Sequence, residues 1–486
     1  MSQSPVTLDG RSLSIADVVA VARRNAPVAL DAKALEAVKQ SRKAVEAAVE
    51  RGETMYGVNT GFGKLAHVRI PPEQARQLQL NLIRSHASGV GEPLAQDAVR
   101  AMMLLRANVL LRGTSGVRPV LPELLVDMLN ARVHPTVPSQ GSVGASGDLA
   151  PLSHLALAMI GEGDVQVSRP ITLEAKEGLA FVNGTQAQTG LAALLVTDAW
   201  TAWRTAHAAA AMSLEAVRGS PDPFDARIHD ARPHPQQQRS ATLLRDLLAD
   251  SEIRESHREN DPRVQDAYSL RCTPQVLGAA GEGLAFAERL VTTELNAATD
   301  NPLVFGDDVI SGGNFHGQPI ALALDVVAIA LTTLAGLAER RLERVVNPDL
   351  SSGLPAFLAH DPGLESGFMT AQIAAAALVA DCRVLATPAS VQSVPTEGNQ
   401  EDVVPMGMSA AWKAGRILAN TERILAIELL AGAQGLEYLK PLRPATAVAR
   451  LHAAVREDSP ALTGDRPMTA DIERVAAGIR AGRFAP

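Results

Sequence analysis

Three long segments of helical periodicity constrain the fold of this chain more than any other feature of its sequence. They cover residues 186–218, 319–346 and 406–436, and each is rich in alanine and leucine. Aromatic residues make up only 3% of the chain, against 46% for all hydrophobic residues, so the core must rest on small aliphatic side chains. Such side chains suit closely packed helices better than sandwiched strands. Because the alternation of strands and helices typical of a parallel sheet is missing, the sequence predicts a mainly α fold with a long-helix bundle as its core.

The N-terminal part of the chain is richer in loops than the rest. Glycines interrupt its helical segments, as in residues 55–65 (MYGVNTGFGKL), which cannot form a regular helix. We therefore expect a loop-rich N-terminal region over residues 1–200 and a long-helix bundle over 201–486, together forming one continuous catalytic unit. Near the start, Ser14 and Asp17 predict a capping box at the first helix.

Composition excludes several classes of function. The net charge of −8 without a basic block argues against a nucleic-acid surface, and the histidines lack the spacing of metal ligands. Residues 320–338 are long and apolar enough to span a membrane, but they run without a break into charged residues 339–344, which predicts a buried bundle helix. The N-terminus lacks the pattern of a secretion signal, and the only cysteines are Cys272 and Cys382. Both features favour a cytoplasmic location.

The stretch 141–154 (GSVGASGDLAPLSH) is the best candidate for chemistry, because it is built almost entirely from small residues. A nucleophile elbow would need glycine two positions after Ser146, where Asp148 stands, and a phosphate-binding loop would need a lysine. Two interpretations remain: a small-residue turn that caps a helix over 149–160, or a reactive turn. In the second, the nitrogen of Gly147 attacks the carbonyl carbon of Ala145, and loss of one water there and one from Ser146 leaves an electrophilic five-membered ring with an exocyclic methylidene.

The chain resembles the aromatic amino acid ammonia-lyases and 2,3-aminomutases. In that family Ala-Ser-Gly becomes 4-methylidene-imidazol-5-one (MIO), and GSVGASGDLAPLSH is similar to its signature. Seven further motifs lie in the family's order between Tyr56 and Asp402: MYGVNTGFG, NLIRSHASGVG, FVNGTQ, QDAYSLRCTPQV, TDNPLVF, GGNFHGQP and NQED. The resemblance implies that Ala145, Ser146 and Gly147 form MIO without a metal, in a homotetramer whose active sites are shared between subunits.

The resemblance also implies roles for individual residues. Tyr56 would be the catalytic base or its partner, and Asn183 and Tyr268 would contact MIO or the substrate amine. Arg271 would bind the substrate carboxylate, since a guanidinium pairs with it in bidentate fashion. The further substrate-binding candidates carried by the matching motifs are Asn314, Phe315, Gln265 and Gln400.

The choice of substrate depends on His86 and Glu401. An imidazole needs polar partners that a phenyl ring does not, because an unpaired buried donor or acceptor costs about 1–3 kcal/mol. His86, after Ser85, follows the family's histidine-type pattern, which tyrosine aminomutases can share, so the Glu401 of NQED is the better discriminator. A carboxylate facing an imidazole can accept its N–H or act as a base. Val403 departs from that pattern towards tyrosine-type enzymes, and residues 381–383 (DCR) replace the usual Glu-Asn-Lys.

The resemblance thus implies elimination of ammonia from L-histidine to give trans-urocanate, the first step of histidine degradation. Two alternatives stay open: a tyrosine or phenylalanine ammonia-lyase or 2,3-aminomutase on the same scaffold, and a non-catalytic helical oligomer that retains the fold.

Overall fold

The computed structural model describes residues 4–486 and confirms the mainly α fold, with eighteen α-helices and six short strands in that part of the chain. The first helices are α1 (Ile15–Arg24), α2 (Ala32–Glu50), α3 (Ala75–His86), α4 (Gln96–Leu110), α5 (Val120–Ala131), α6 (Leu149–Met159) and α7 (Glu177–Val182). They are followed by α8 (Gln186–Ala216), α9 (Ala226–Asp230), α10 (Pro235–Leu247), α11 (Glu252–Glu255), α12 (Tyr268–Arg271) and α13 (Thr273–Glu294). The last are α14 (Gln318–Val346), α15 (Met369–Leu385), α16 (Gly407–Glu437), α17 (Thr446–Asp458) and α18 (Thr469–Arg480).

The strands form three separate pairs. β1 (Val6–Leu8) lies parallel to β2 (Val28–Leu30), and β3 (Val90–Pro93) lies antiparallel to β4 (Pro138–Gln140). β5 (Leu303–Phe305) and β6 (Asp308–Ile310) form an antiparallel hairpin. Because each sheet has only two strands, these pairs contribute little to the core, although Val304 of β5 belongs to a buried cluster with Ala44, Val45 and Ala48 of α2.

The three long segments that the sequence predicts as helices are confirmed as α8, α14 and α16, with ends displaced by no more than two residues. The capping box is also confirmed: the Ser14 side chain accepts a hydrogen bond from the Asp17 backbone, and the Asp17 side chain accepts one from the Ser14 backbone. α17 and α18 are not predicted from the sequence, because both are short and amphipathic and follow no strong start signal.

The chain divides into two compact units. The first comprises the chain up to Leu195 together with Ala287–Asp325 and Pro388–Trp412. In it, the almost wholly buried α4 packs against α1 and α5, while α6 packs against α3 and α7. Buried polar contacts hold its loops: Lys176 Nζ lies 3.1 Å from Asp300 Oδ2, with both side chains fully buried. The division of the chain at residue 200 into two parts of one catalytic unit, expected from the sequence, stays a prediction.

The second unit comprises Val196–Phe286, Val326–Thr387 and Lys413–Pro486. Its interior contains an ion pair between Arg341 on α14 and Glu428 on α16, with Nε 2.5 Å from Oε1 and neither side chain exposed. Ser213 on α8 donates a further hydrogen bond of 2.9 Å to Glu428. Charged groups without access to water need such partners, so this contact specifies how the long helices pack.

α14 is the only helix among residues 4–486 that is long and apolar enough to cross a membrane. However, 61% of its most apolar 18-residue window is buried within the protein. Such burial is typical of a core helix, in agreement with the buried bundle helix that its sequence predicts.

Candidate active site

The tripeptide Ala145-Ser146-Gly147 lies in a tight turn directly before α6. Gly147 has φ +77°, and a Cβ at this position would lie 2.2 Å from the carbonyl oxygen of Gly184. The backbone nitrogen of Asp148 donates to that same oxygen at 2.7 Å. Only glycine combines this φ with so close an approach of a second backbone. The turn is therefore pressed against the loop between α7 and α8.

Asp148 holds the turn in place through its side chain. Its buried carboxylate accepts hydrogen bonds from the backbone nitrogen of Gln188 at 2.8 Å and from Ser142 Oγ at 3.0 Å. Burial raises the pKa of Asp148 to about 6, although these hydrogen bonds act in the opposite direction. The residue that excludes the hydrolase pattern in the sequence is thus a structural support of the turn.

Ser146 contacts two of the residues that the sequence predicts for the site. Its backbone nitrogen and its Oγ both donate to Glu401 Oε1, at 3.0 and 2.6 Å. The other oxygen of Glu401 accepts from Thr396 Oγ1 at 2.5 Å. On the opposite side, Asn183 Nδ2 donates to the carbonyl oxygen of Ser146 at 3.0 Å. The buried Oδ1 of Asn183 has no partner within residues 4–486, so it can accept a hydrogen bond from a ligand.

A cavity of about 460 Å³ opens over Ser146. Its walls include seven of the residues predicted for the site, namely Tyr56, Ala145, Ser146, Asn183, Phe315, Gln400 and Glu401. The remaining lining residues are Gly63, Asn301, Ser311, Gly312, His316, Glu397, Asp402 and Val403. A volume of this size accommodates a single amino acid.

Tyr56 lies at the wall of this cavity with its hydroxyl 3.0 Å from the backbone nitrogen of Gly63, which donates to it. Burial raises the pKa of Tyr56, and the charges of Glu397 and Glu401 add to this, while the hydrogen bond from Gly63 acts against it. In this environment Tyr56 holds its proton at neutral pH.

His86 lines a neighbouring cavity of about 490 Å³, which shares Gly63 and Glu397 with the first. Its Nδ1 lies 2.9 Å from the carbonyl oxygen of Leu82, an acceptor, so Nδ1 carries the proton. Burial lowers the pKa of His86, against the effects of this hydrogen bond and of the Glu401 charge, so the ring is neutral at pH 7. Its Nε2 is consequently a hydrogen-bond acceptor.

The other predicted residues lie outside the wall of the first cavity. Asn314 is exposed on the loop that precedes α14. Gln265, Tyr268 and Arg271 belong to the second unit, whereas the cavity-lining residues all belong to the first. The Arg271 guanidinium stacks 4.4 Å from the ring centre of Tyr268, which is 69% exposed. The roles of these four residues stay predictions.

Among the wall residues that were not singled out in the sequence are Asn301, His316 and Glu397. Asn301 Oδ1 accepts from the backbone nitrogen of Gly312 at 2.7 Å, and His316 Nε2 lies 3.0 Å from the carbonyl oxygen of Val403. Glu397 precedes NQED and faces both cavities. All three lie within or beside the quoted motifs, so motif position was the available signal. Within residues 4–486, no group of three or more His, Cys, Asp or Glu side chains is arranged to hold a metal ion.

Comparison with known proteins identifies the family. The sequence profile described as "Aromatic amino acid lyase" matches residues 13–457. A histidine ammonia-lyase from Koribacter versatilis is 50% identical over 507 residues, covering 98% of this chain and 98% of that protein. The chain therefore belongs to the aromatic amino acid lyase family, as its motifs predict.

Solved structures agree with this assignment. A histidine ammonia-lyase from Trypanosoma cruzi is 43% identical with a TM-score of 0.91, covering 99% of this chain and 94% of that one. A tyrosine aminomutase from Streptomyces globisporus is 42% identical with a TM-score of 0.94, covering 99% and 98%. Since the lyase and the aminomutase structures match this chain about equally well, the fold alone does not identify the substrate, which must be inferred from the residues of the site.

Proposed function

We propose that this enzyme, a carbon–nitrogen lyase of the ammonia-lyase type, eliminates ammonia from L-histidine to give trans-urocanate, the first step of histidine degradation. The observation that carries this proposal is the carboxylate of Glu401, which lies in the cavity wall and contacts Ser146 directly. A carboxylate there can pair with an imidazole N–H and offers nothing to a phenyl ring. The identity of 50% to histidine ammonia-lyases supports the same substrate.

Ala145, Ser146 and Gly147 are proposed to form MIO autocatalytically. The chain fits this group: position 147 admits only a residue without Cβ, the Ser146 hydroxyl is held by a carboxylate, and the unpaired Oδ1 of Asn183 lies beside it. MIO supplies an electrophile that no ordinary side chain provides. Glu401 and Asn183 would hold it, and they carry polar atoms on two sides of the tripeptide.

The wall residues position the substrate and handle its proton. Glu401 and His86 present acceptors to the ring, and Asn183 Oδ1 presents an acceptor to the amine. Two groups are available to take the β-proton, Glu401 and Tyr56. Since Tyr56 is protonated in this environment, it can act as base only after it has lost its proton to a neighbouring acceptor.

We further propose a homotetramer with shared active sites. The first cavity is lined by no Arg or Lys among the described residues, although an amino acid carboxylate needs a cation. The partner subunit's Arg271, with the partner subunit's Tyr268 and the partner subunit's Gln265, would complete it.

An exposed apolar surface on α15 supports assembly. Met369, Ile373 and Val384 are 37%, 57% and 76% exposed, and Ala377 and Ala380 lie exposed between them. A helix that is apolar on its outer face as well as its buried face needs a partner to cover it. The two free cysteines, of which Cys382 is buried, suit a reducing compartment, and we place the enzyme in the cytoplasm.

A tyrosine substrate is the second candidate. Val403 lines the cavity and is 60% exposed, and the tyrosine aminomutase is a close structural relative. Incubation with L-histidine, L-tyrosine and L-phenylalanine, followed by product analysis, separates the candidates. We expect urocanate and ammonia from histidine at the highest kcat/KM. Efficient turnover of tyrosine without turnover of histidine would refute the substrate assignment.

The Glu401→Gln variant tests the observation behind the proposal. We expect kcat/KM for histidine to fall by about 10- to 100-fold, because a charge-assisted contact and a candidate base are both lost. Intact mass shows whether MIO has formed, since a mature chain is lighter by two waters. A chain with the full sequence mass would instead support the non-catalytic alternative. Glu73→Gln, at an exposed position of the same unit, is the matched control and should keep full activity.

A further inference from the structure

Glu397 occupies the wall between the two cavities. It begins a short 3-10 turn, Glu397–Asn399, and its side chain lies across Gly63: a Cβ added to Gly63 would be 2.2 Å from Glu397 Oε2. Glu397 and Gly63 are the residues that line both the cavity over Ser146 and the cavity that contains His86. The carboxylate of Glu397 thus faces the space in which a substrate side chain would lie.

This carboxylate has no partner of its own. Within the described part of the chain it makes no hydrogen bond and no ion pair, although it is half-buried. Burial raises the pKa of Glu397, and the charge of Glu401 raises it further. A carboxylate in this situation loses hydration without compensation, unless a ligand donates to it.

Three side chains in the walls of the two cavities present hydrogen-bond acceptors. Glu397 and Glu401 present carboxylate oxygens, and His86 presents a neutral Nε2 because its Nδ1 is bonded to Leu82. An imidazole ring donates one N–H, and an imidazolium donates two. An imidazolium therefore satisfies two carboxylates, whereas a phenol donates one O–H and a phenyl ring donates none.

We propose that Glu397 is a specificity-determining residue that accepts a ring N–H of the substrate and, with Glu401, selects an imidazole over a phenyl side chain. This inference rests on the proposed function and deepens it. The unpaired Oδ1 of Asn183 in the same cavity is an independent sign that a ligand with hydrogen-bond donors binds there. As an imidazolium, the ring would donate one N–H to Glu401 from the side of Ser146 and the other N–H to Glu397 from the side of Gly63.

The experiment compares Glu397→Gln with the wild type, using two ligands that cannot be turned over. 3-(Imidazol-4-yl)propionate and 3-phenylpropionate differ only in the ring, and their dissociation constants are measured by calorimetric titration of the MIO-containing enzyme. We expect the variant to bind the imidazole ligand about tenfold more weakly, the usual effect of losing one charge-assisted hydrogen bond, and to bind the phenyl ligand within about twofold of the wild type. Glu73→Gln should change neither constant.

Turnover separates this inference from the proposed function. We expect KM for L-histidine to rise in Glu397→Gln by about the same factor, with a smaller change in kcat. A wild type that binds the imidazole ligand selectively but releases no urocanate would refute the proposed function and leave the role of Glu397 standing. If both ligands lose affinity equally, or neither does, Glu397 is structural and the inference is wrong. Unchanged melting temperature and intact mass establish that the variant is folded and carries MIO.

Discussion

Gly147→Ala tests the geometry on which the proposed prosthetic group depends. The alanine Cβ would lie 2.2 Å from the carbonyl oxygen of Gly184 and 2.4 Å from its carbonyl carbon and its nitrogen. All three are backbone atoms and cannot turn aside as a flexible side chain would. The two backbones must therefore separate, and the 2.7 Å hydrogen bond from the Asp148 nitrogen to Gly184 must lengthen or break.

The free energy involved has three parts. Alanine at φ +77° costs about 1 kcal/mol, the lost hydrogen bond about 1 kcal/mol, and the displacement of packed backbone about 1–3 kcal/mol. We expect a decrease of roughly 3 kcal/mol or more in the free energy of unfolding. Gly52→Ala is the matched control, because Gly52 has φ +75° and no atom within 4 Å of its added Cβ. It should lose about 1 kcal/mol only and keep full activity.

Three measurements follow the two variants in parallel: urea-induced unfolding, intact mass and urocanate release. We expect Gly147→Ala to retain the mass of the uncyclised chain and to release no urocanate. The reasoning would be refuted if Gly147→Ala were as stable as Gly52→Ala and lost two waters, because the close approach to Gly184 would then play no part in ring formation.

Two more predictions concern a buried carboxyl group in the second unit and the assembly of the active site. Burial raises the pKa of Glu215 to about 7, so its stabilising protonated form is fully present below its unfolded pKa near 4.5 and is lost as the pH rises through 7. Glu215→Gln can still accept a hydrogen bond from the Ala445 nitrogen. Its free energy of unfolding should therefore rise relative to that of the wild type by up to about 3 kcal/mol between pH 5 and pH 8. Urea titrations of both proteins at these two pH values measure the difference, and a difference that does not change with pH would contradict the prediction. To test the proposed shared site, Ser146→Ala and Arg271→Ala should each be inactive alone, and co-expression should restore part of the activity because some sites then combine an intact Ser146 with an intact Arg271 from another subunit. Inactive mixed tetramers would mean that each site is built from a single chain.

Local chemistry explains how far the sequence reached. Features that depend on neighbours a few residues apart are confirmed: the capping box at Ser14 and the long helices α8, α14 and α16. The loop predicted at residues 55–65 is also confirmed, except that it ends in a short 3-10 turn, Gly63–Leu65. The motif around Ser146 likewise identified the family, because its chemistry depends on consecutive residues.

Contacts between distant segments were decided only by the tertiary structure. Glu401 hydrogen-bonds to Ser146, 255 positions away in the sequence. Glu397 lies against Gly63, and no feature of the sequence around Glu397 indicated this contact. The proton on Tyr56 likewise depends on burial and on two carboxylates more than 300 residues away. The sequence by itself determined the long helices and the tripeptide proposed to form the ring, because both are local. Folding decided which acceptors surround a substrate, because electrostatics and hydrogen bonding follow distance in space and not order in the chain.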